Sequence, residues 1–548
     1  MLNLKKINTQ SKDLQANIPS AEPQYLQKKS AWRLRCVVHP VFSLCLYLLF
    51  PLSSFADVEQ LINENEDSSL STRGLKSIAV LQSLKHLEKK SLNSAPFVQE
   101  LPNAQQVRSL FVATQALPIV DIQLTFHAGS AHDESIEKGL FGVANMAAKL
   151  MPEGTDQYSA KQLAHAFDAL GAQFNVNAYR DMFIVRLRVL SDPKKLESAL
   201  DLMLHLINHA NFNASGLNLV LNNTKIGQKQ VQENPSRLMG IKFYRSLYGQ
   251  HPYAEPSVGT QGSVKKITPE RLKTFRDRLL VAQNSNIAIT GDLTAPQATA
   301  LANKITQNLP QGEPAAAIPE AIEHQDFNLQ FIPHHSSQAY ITMGHLGIRH
   351  ADPNRAALEV ANRIFGGGSF SSLLSKELRI KRGYTYSASS NLTSTEAPGV
   401  FSLTYSTQQD QLMDSIQVAH QTLINFIQQP LTKTQLEETK EGLLRAYPMS
   451  FSSNANINAQ IASIGFYGLP TDYLNQYQKQ INALTVKDVQ KAIHQHLHAD
   501  KLTVVVVAQS LDMKALKNSL NRNIGIEVEQ NVHSTDAKTP TKTTLATQ

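Results

Sequence analysis

The side chains best placed to do chemistry in this chain lie in FGGGSFSSLLSKELRIKRGYTYSASS (365–390). Arg379 and Tyr386 stand seven apart there, a guanidinium and a phenol. Both donate hydrogen bonds to an oxygen on which negative charge builds, so a pair aimed at one point would stabilise a transition state of that kind. Taken singly, each has a plainer reading: a solvated arginine at a helix end, and a tyrosine in a strand core. Gly366, Gly367 and Gly368 would let backbone approach a bound molecule closely, or would equally serve as a turn ending a helix. The run lacks the G-x-x-x-x-G-K-[ST] pattern of a phosphate loop. His205 and His209 are four apart on a predicted helix, the spacing of two metal ligands, yet no third ligand accompanies them and a polar helix face accounts for both. His494, His496 and His498 alternate, so they cannot share one helix face. No G-x-S-x-G elbow or paired-cysteine motif offers a replacement chemistry.

The elements around these residues repeat. In the first half the strand FIVRLRVL is followed by DPKKLESALDLMLHLINHANF and then ASGLNLVLNNTKIG. In the second, FSLTYST is followed by QQDQLMDSIQVAHQTLINFIQQ and then TKTQLEETKEGLL. Each is a strand, a helix with apolar residues three and four apart, a short link and another helix. Both halves end on a helix, a break and a buried strand, PERLKTFRDRLLVAQNSNIAITGDL and VKDVQKAIHQHLHADKLTVVVVAQSL. The spacing predicts an α+β chain of two related units, 96–310 and 327–528, joined by QGEPAAAIPEAIEHQD (311–326), which has linker composition. A length of 548 residues exceeds one ordinary core, and 42% hydrophobic content is that of a soluble globular protein.

The net charge of +7 is concentrated at the start: residues 1–56 hold seven of the 52 Lys/Arg and two of the 45 Asp/Glu. The remainder is close to neutral, which gives no case for a nucleic-acid partner. KKSAWRLRC precedes VFSLCLYLLF and then PLSSFA. A basic region, an apolar core of ten and small residues form the layout of a secretory signal peptide, with cleavage after Ala56. The apolar run is short for a membrane span, and an uncleaved membrane anchor is the alternative. Both cysteines, Cys36 and Cys45, fall in this segment, so the mature chain would have no disulfide. The expected address is a bacterial periplasm. Residues 57–95 read as an N-terminal extension, and residues 529–548 as a disordered polar tail.

The run IVDIQLTFHAGSAHDE (119–134), the apolar helix GLFGVANMAAKLMPEGT (139–155) and the helix SAKQLAHAFDALGAQFN (159–175) resemble the start of the pitrilysin/insulinase zinc peptidases, the inverzincins. There the first helix carries H-x-x-E-H, two zinc-ligating histidines and a glutamate base. Aligned through Gly139 and Gly154-Thr155, the histidine positions hold Gly142 and Met146, and the glutamate position holds Asn145. The family's third ligand is a glutamate on a later helix, but no acidic residue occurs between Asp201 and Glu233. Glycine has no side chain, a thioether is a poor zinc ligand, and Asn145 cannot take a proton from water.

The resemblance, over roughly residues 96–525, implies two tandem homologous domains of the mitochondrial-processing-peptidase-like (LuxS/MPP-like) fold. It further implies no catalytic residue, metal or cofactor in this chain. Leu378-Arg379 and Gly383-Tyr384-Thr385-Tyr386 match the family's second-domain motif, whose arginine/tyrosine pair contacts substrate across the chamber from the zinc. Gly366–Gly368 resemble the glycine-rich loop of the non-catalytic subunit of the mitochondrial presequence peptidase. NVNAYRD (175–181) matches a stretch where a strand borders the substrate cleft, though a plain turn between strands reads as well. The expectation is a non-catalytic, substrate-binding subunit of a heterodimeric periplasmic zinc peptidase. A zinc-bearing homologous subunit would be its partner and peptides its substrates, and it would contribute to metalloendopeptidase activity only in that company. The alternative is an inactive binding or scaffold protein, as in the core proteins of the respiratory cytochrome complex.

Overall fold

Alternating apolar runs form two sheets with the same plan. The computed structural model describes residues 95–525 apart from Ser369. The segment read as a secretory signal (1–56), the extension up to residue 94 and the polar tail (529–548) lie outside the described residues. In the first half, strands β1 (Gln99–Glu100), β2 (Ser109–Ala113), β3 (Ile119–Phe126), β4 (Gln173–Ala178), β5 (Phe183–Leu190) and β6 (Ser285–Gly291) pair in the order β1-β2-β6-β3-β5-β4. In the second half, β7 (Asn328–Pro333), β8 (Gln338–Leu346), β10 (Ala388–Leu392), β12 (Val400–Gln408) and β13 (Thr503–Ala508) pair as β7-β13-β8-β12-β10, while β9 (Ile348–Arg349) and β11 (Ser394–Thr395) form a short parallel pair. Leaving out β1, the two orders are the same. In both, the first and last strands are parallel (β2 with β6, β7 with β13) and every other pairing is antiparallel. The divergent repeat is therefore a repeat of topology.

The longer helices of the first half are α1 (Val143–Leu150), α2 (Ala160–Ala169), α3 (Pro193–His209), α4 (Ala214–Gln232), α5 (Pro235–Tyr248), α6 (Pro269–Leu279) and α7 (Ala295–Asn308). Those of the second are α8 (Arg355–Asn362), α9 (Leu412–Gln428), α10 (Lys433–Ala446), α11 (Asn454–Phe466), α12 (Tyr473–Ala483), α13 (Val486–His496) and α14 (Met513–Asn523). Their starts are written locally. Ser159 with Gln162, Thr294 with Gln297, Thr432 with Gln435 and Thr485 with Asp488 make capping boxes. Proline sits in the first turn of α3, α5 and α6, where its missing N–H has no intrahelical partner to lose. Among the described residues no helix is long and apolar enough to cross a membrane.

Each sheet is covered on one face by its own helices and on the other by a helix of the opposite half. In the first sheet, Phe111, Ile287 and Ile289 face the first-half helices, while Leu110, Val112 and Ala288 face Ile457, Ile461 and Ala462 of α11. In the second, Val504 and Val506 face their own helices, while Val505 and Val507 meet Met239, Phe243 and Leu247 of α5. Hydrogen bonds fix the crossing. Asn458 Nδ2 of α11 donates to the carbonyls of Asp121 (3.0 Å) and Ala288 (3.1 Å), and Tyr248 Oη of α5 donates to the carbonyl of Pro398 (2.8 Å). Between Asn308 and Asn328 the chain carries no helix or strand, yet it is pinned. Ile318 is buried with α5, Asn284 Oδ1 accepts from Ala315 N (2.8 Å), and His251 bonds the Pro319 carbonyl.

This crossing predicts one cooperative unit. Phe243→Ala and Ile461→Ala, on helices covering opposite sheets, should each lower stability by about 2–5 kcal/mol, with calorimetry still showing a single transition. Two separate transitions would contradict the reciprocal packing. A second prediction concerns His345, fully buried at the end of β8, where Nδ1 donates to the Leu346 carbonyl (2.7 Å) and Nε2 accepts from His498 N (3.1 Å). Burial pushes its pKa down to about 4. Because the folded state resists that proton, the stability His345 contributes is complete above about pH 6.5 and is lost as pH falls toward 4. The difference in unfolding free energy between the wild-type chain and His345→Gln, measured in urea, should shrink across that window.

Candidate functional site

The first half places the would-be metal helix where the sequence suggests, but closes it. Helix α1 starts at Val143 with Gly142 as its N-cap, in the left-handed region at φ 94°. The buried Asp133 carboxylate spans the helix start, accepting from Gly142 N (2.6 Å), Val143 N (3.2 Å) and Ala144 N (2.9 Å). Burial pushes its pKa up to about 7 against these three donors, which favour the anion. A Cβ on Gly142 would lie 2.9 Å from the Val258 carbonyl oxygen and 3.0 Å from Gly259 Cα. The Val258–Gly259 turn thus occupies the space a histidine would need. Met146 is 2% exposed and packs into the first core, while Asn145 is half-buried. On α4, which packs against α1, the buried polar side chains are Thr224 and Gln228, and Gln228 Nε2 donates to the Gly259 carbonyl (3.0 Å). Neither is acidic. Among the described residues no three His, Cys, Asp or Glu side chains converge as a metal site. These residues do not fit zinc.

The second half keeps its segment open to solvent. Helix α8 runs on through a widened turn at Arg363–Gly367, and the helix that follows is widened again at Ser375–Ile380. Leu374 and Leu378 are fully buried in the second core and fix this helix, which leaves Arg379 partly exposed. The helix ends on Gly383 (φ 66°), with Gly383 N donating to the Arg379 carbonyl (3.1 Å) and Tyr384 N to that of Leu378 (2.8 Å). Thr385 Oγ1 then accepts from Ser387 N (3.1 Å), pinning the residues around Tyr386 just ahead of β10. Tyr386 is 86% exposed. The strand-core reading of this tyrosine is therefore wrong, because the strand begins two residues later. Arg379 forms no ion pair among the described residues; its guanidinium lies over the Phe370 ring, 4.3 Å from the centroid.

The three glycines divide. Gly366 is buried, and a Cβ there would lie 2.7 Å from Ser390 N and 2.6 Å from Leu374 Cδ1. Its glycine is needed for close packing of this turn on β10, so it presents nothing to a ligand. Gly367 and Gly368 are exposed. The histidines scatter. His205 Nε2 meets Thr155 Oγ1 (3.1 Å) and steadies the Gly154-Thr155 turn, with the His209 ring tilted against it at 4.8 Å. His494 bonds the Ile427 carbonyl (2.8 Å), His496 meets Asn354 (3.0 Å) and His498 lies 3.9 Å from Glu323.

Within NVNAYRD, residues 175–178 belong to β4, at the edge of the first sheet. Asp181 is buried and ties the halves together. It accepts from the Tyr253 hydroxyl and from Glu396 N (2.9 Å), and burial raises its pKa. Asp133, Asp181 and Phe370 were not singled out from the sequence. An aspartate ahead of an apolar helix was the one available signal, and it pointed only to Asp133.

Comparison with known proteins accords with this geometry. Residues 110–261 match the insulinase (peptidase family M16) domain, and residues 266–443 match the peptidase M16 inactive domain. The crystal structure of a peptidase M16 inactive domain from Pseudomonas fluorescens superposes with a TM-score of 0.71 at 33% identity, covering 76% of this chain and 98% of that one. An uncharacterized zinc protease of Rickettsia felis is 26% identical over 62% of this chain and 79% of its own length. The non-peptidase homolog YmxG of Helicobacter pylori is 23% identical over 76% of this chain and 95% of its own. With both halves matched, the strand order repeated and the H-x-x-E-H positions filled by Gly142, Asn145 and Met146, the chain belongs to peptidase family M16, the insulinase family, as a member without the zinc motif.

Proposed function

We propose that this chain is the non-catalytic, substrate-binding subunit of a heterodimeric periplasmic zinc peptidase. One observation carries the reading. Arg379 and Tyr386 stand on a rigidly seated segment with their donors open to solvent, in a chain whose own metal position is closed. Hydrolysis of a peptide bond builds negative charge on the scissile carbonyl oxygen, and a guanidinium with a phenol stabilises it from wherever geometry brings them near. Metal, water and general base would come from a zinc-bearing homologous subunit. The edge strand β4 offers unpaired backbone groups to which an extended peptide can add as a further strand. The basic start followed by VFSLCLYLLF supports export to the periplasm. Two donors that bond nothing among the described residues count somewhat against a pure scaffold, which has no need of them.

Reconstitution tests this. The purified chain should cleave no peptide, and hydrolysis should appear on mixing with a homologue that keeps H-x-x-E-H. Arg379→Ala or Tyr386→Phe should then lower turnover by about a hundredfold or more, the loss seen when a donor to a developing oxyanion is removed. Full turnover in both variants would leave the scaffold reading in place. A further expectation concerns the closed metal position. The combined change Gly142→His, Asn145→Glu, Met146→His should bind no stoichiometric zinc by elemental analysis. It should also destabilise the chain by about 2 kcal/mol or more, from strain at positive φ and overpacking against Val258–Gly259.

A further inference from the structure

Segment KELRIKR (376–382) holds four cations and one carboxylate. Glu377 spends that carboxylate on the two cations that follow Arg379, bonding Lys381 Nζ (2.6 Å) and Arg382 Nη1 (2.7 Å). Arg379, two residues along the same helix, is left without a counter-ion among the described residues. Its neighbour is the ring of Phe370, which keeps 67% of its surface exposed. Burial of apolar surface therefore does not explain where this ring sits. Gly366 packs hard against Ser390, and Phe370, nine residues ahead of Arg379, meets the helix it precedes.

We propose that Phe370 is the positioning residue for Arg379, a role that rests on the substrate-binding reading above. The donors of a guanidinium lie in its plane, around its edge. A carboxylate partner would take that edge, spending two donors and neutralising the charge. An aromatic ring takes the face instead. Stacking on Phe370 thus narrows the rotamers of a long, mobile side chain while leaving its full charge and its edge donors for a peptide carbonyl.

The test has two arms. In the first, the chain is labelled with ¹⁵N-arginine, and the Arg379 Nε–H resonance is assigned by its loss in Arg379→Lys. Ring current should move it upfield relative to its position in Phe370→Leu, and Phe370→Tyr should retain the shift. The same position with and without the ring overturns the proposal. In the second, the chain is reconstituted with its zinc-bearing partner and assayed on an internally quenched peptide. Phe370→Leu should lower kcat/KM about two- to fivefold, the range of an exposed cation–π contact. Phe370→Tyr should restore it, and Phe370→Leu should have no further effect in an Arg379→Ala background. Wild-type kcat/KM in Phe370→Leu, or the same loss with Arg379 already removed, overturns the positioning role while leaving the peptidase reading intact. Unchanged turnover in Arg379→Ala overturns this inference, and unchanged turnover in Tyr386→Phe as well overturns that reading with it.

Discussion

The exchange of covering helices between the halves is the constraint on which everything else depends. A sheet with two apolar faces needs cover on both, and here each half supplies one cover for itself and one for its neighbour. Helix α5 lays Met239, Phe243 and Leu247 on the second sheet, and α11 lays Ile457 and Ile461 on the first. Each fully buried side chain of this kind contributes about 1.5–3 kcal/mol. The contacts also set where the two sheets lie relative to each other, and hence how the closed helix of the first half is placed against the open segment of the second. The Asp181–Tyr253–Glu396 bonds add a polar tie at the same junction.

The halves have diverged in a particular way. In the first, the metal-bearing turn has been absorbed into the packing: Gly142 is seated on a neighbouring turn, Asp133 caps the helix, and Met146 fills the core. A helix end satisfied by a carboxylate and a core filled by a thioether need no bound ion. In the second half, the corresponding effort goes into holding a segment still while keeping its polar tips exposed. Leu374 and Leu378 anchor it, Gly383 ends it, and Thr385 fixes the exit. The first half is closed by packing at this turn, while the second leaves Tyr386 and part of Arg379 open to solvent.

Much of this was legible in the residues. The alternation and helical periods gave both sheets and the repeat, because sheet faces and helix stripes are set by local spacing. The missing ligands were legible too, since a side chain that is absent cannot coordinate. What the sequence left open depends on distant contacts. The pattern of α5 marks an amphipathic helix but does not say that its apolar face meets the other half. The glycine run read equally as a ligand loop or a helix-ending turn, and only the approach of Ser390 shows that Gly366 is a packing glycine. The plainer reading put Tyr386 in a strand core, yet the strand begins only at Ala388, because the turn at Thr385 has no periodic signature. The contact of Phe370 with Arg379 joins residues nine apart, and no local pattern encodes it.

The stretch between Asn308 and Asn328 acquires a different meaning in this light. Its Pro- and Ala-rich composition suggests a tether, yet what joins the halves is the clasp of α5 and α11, not the peptide between them. A protease cutting at residues 313–316 would sever the covalent link and leave both fragments gripping each other, each still lending the lid its sibling lacks. The chain is in that sense a fused pair whose seam adds to the grip through Ile318, Ala315 and Pro319.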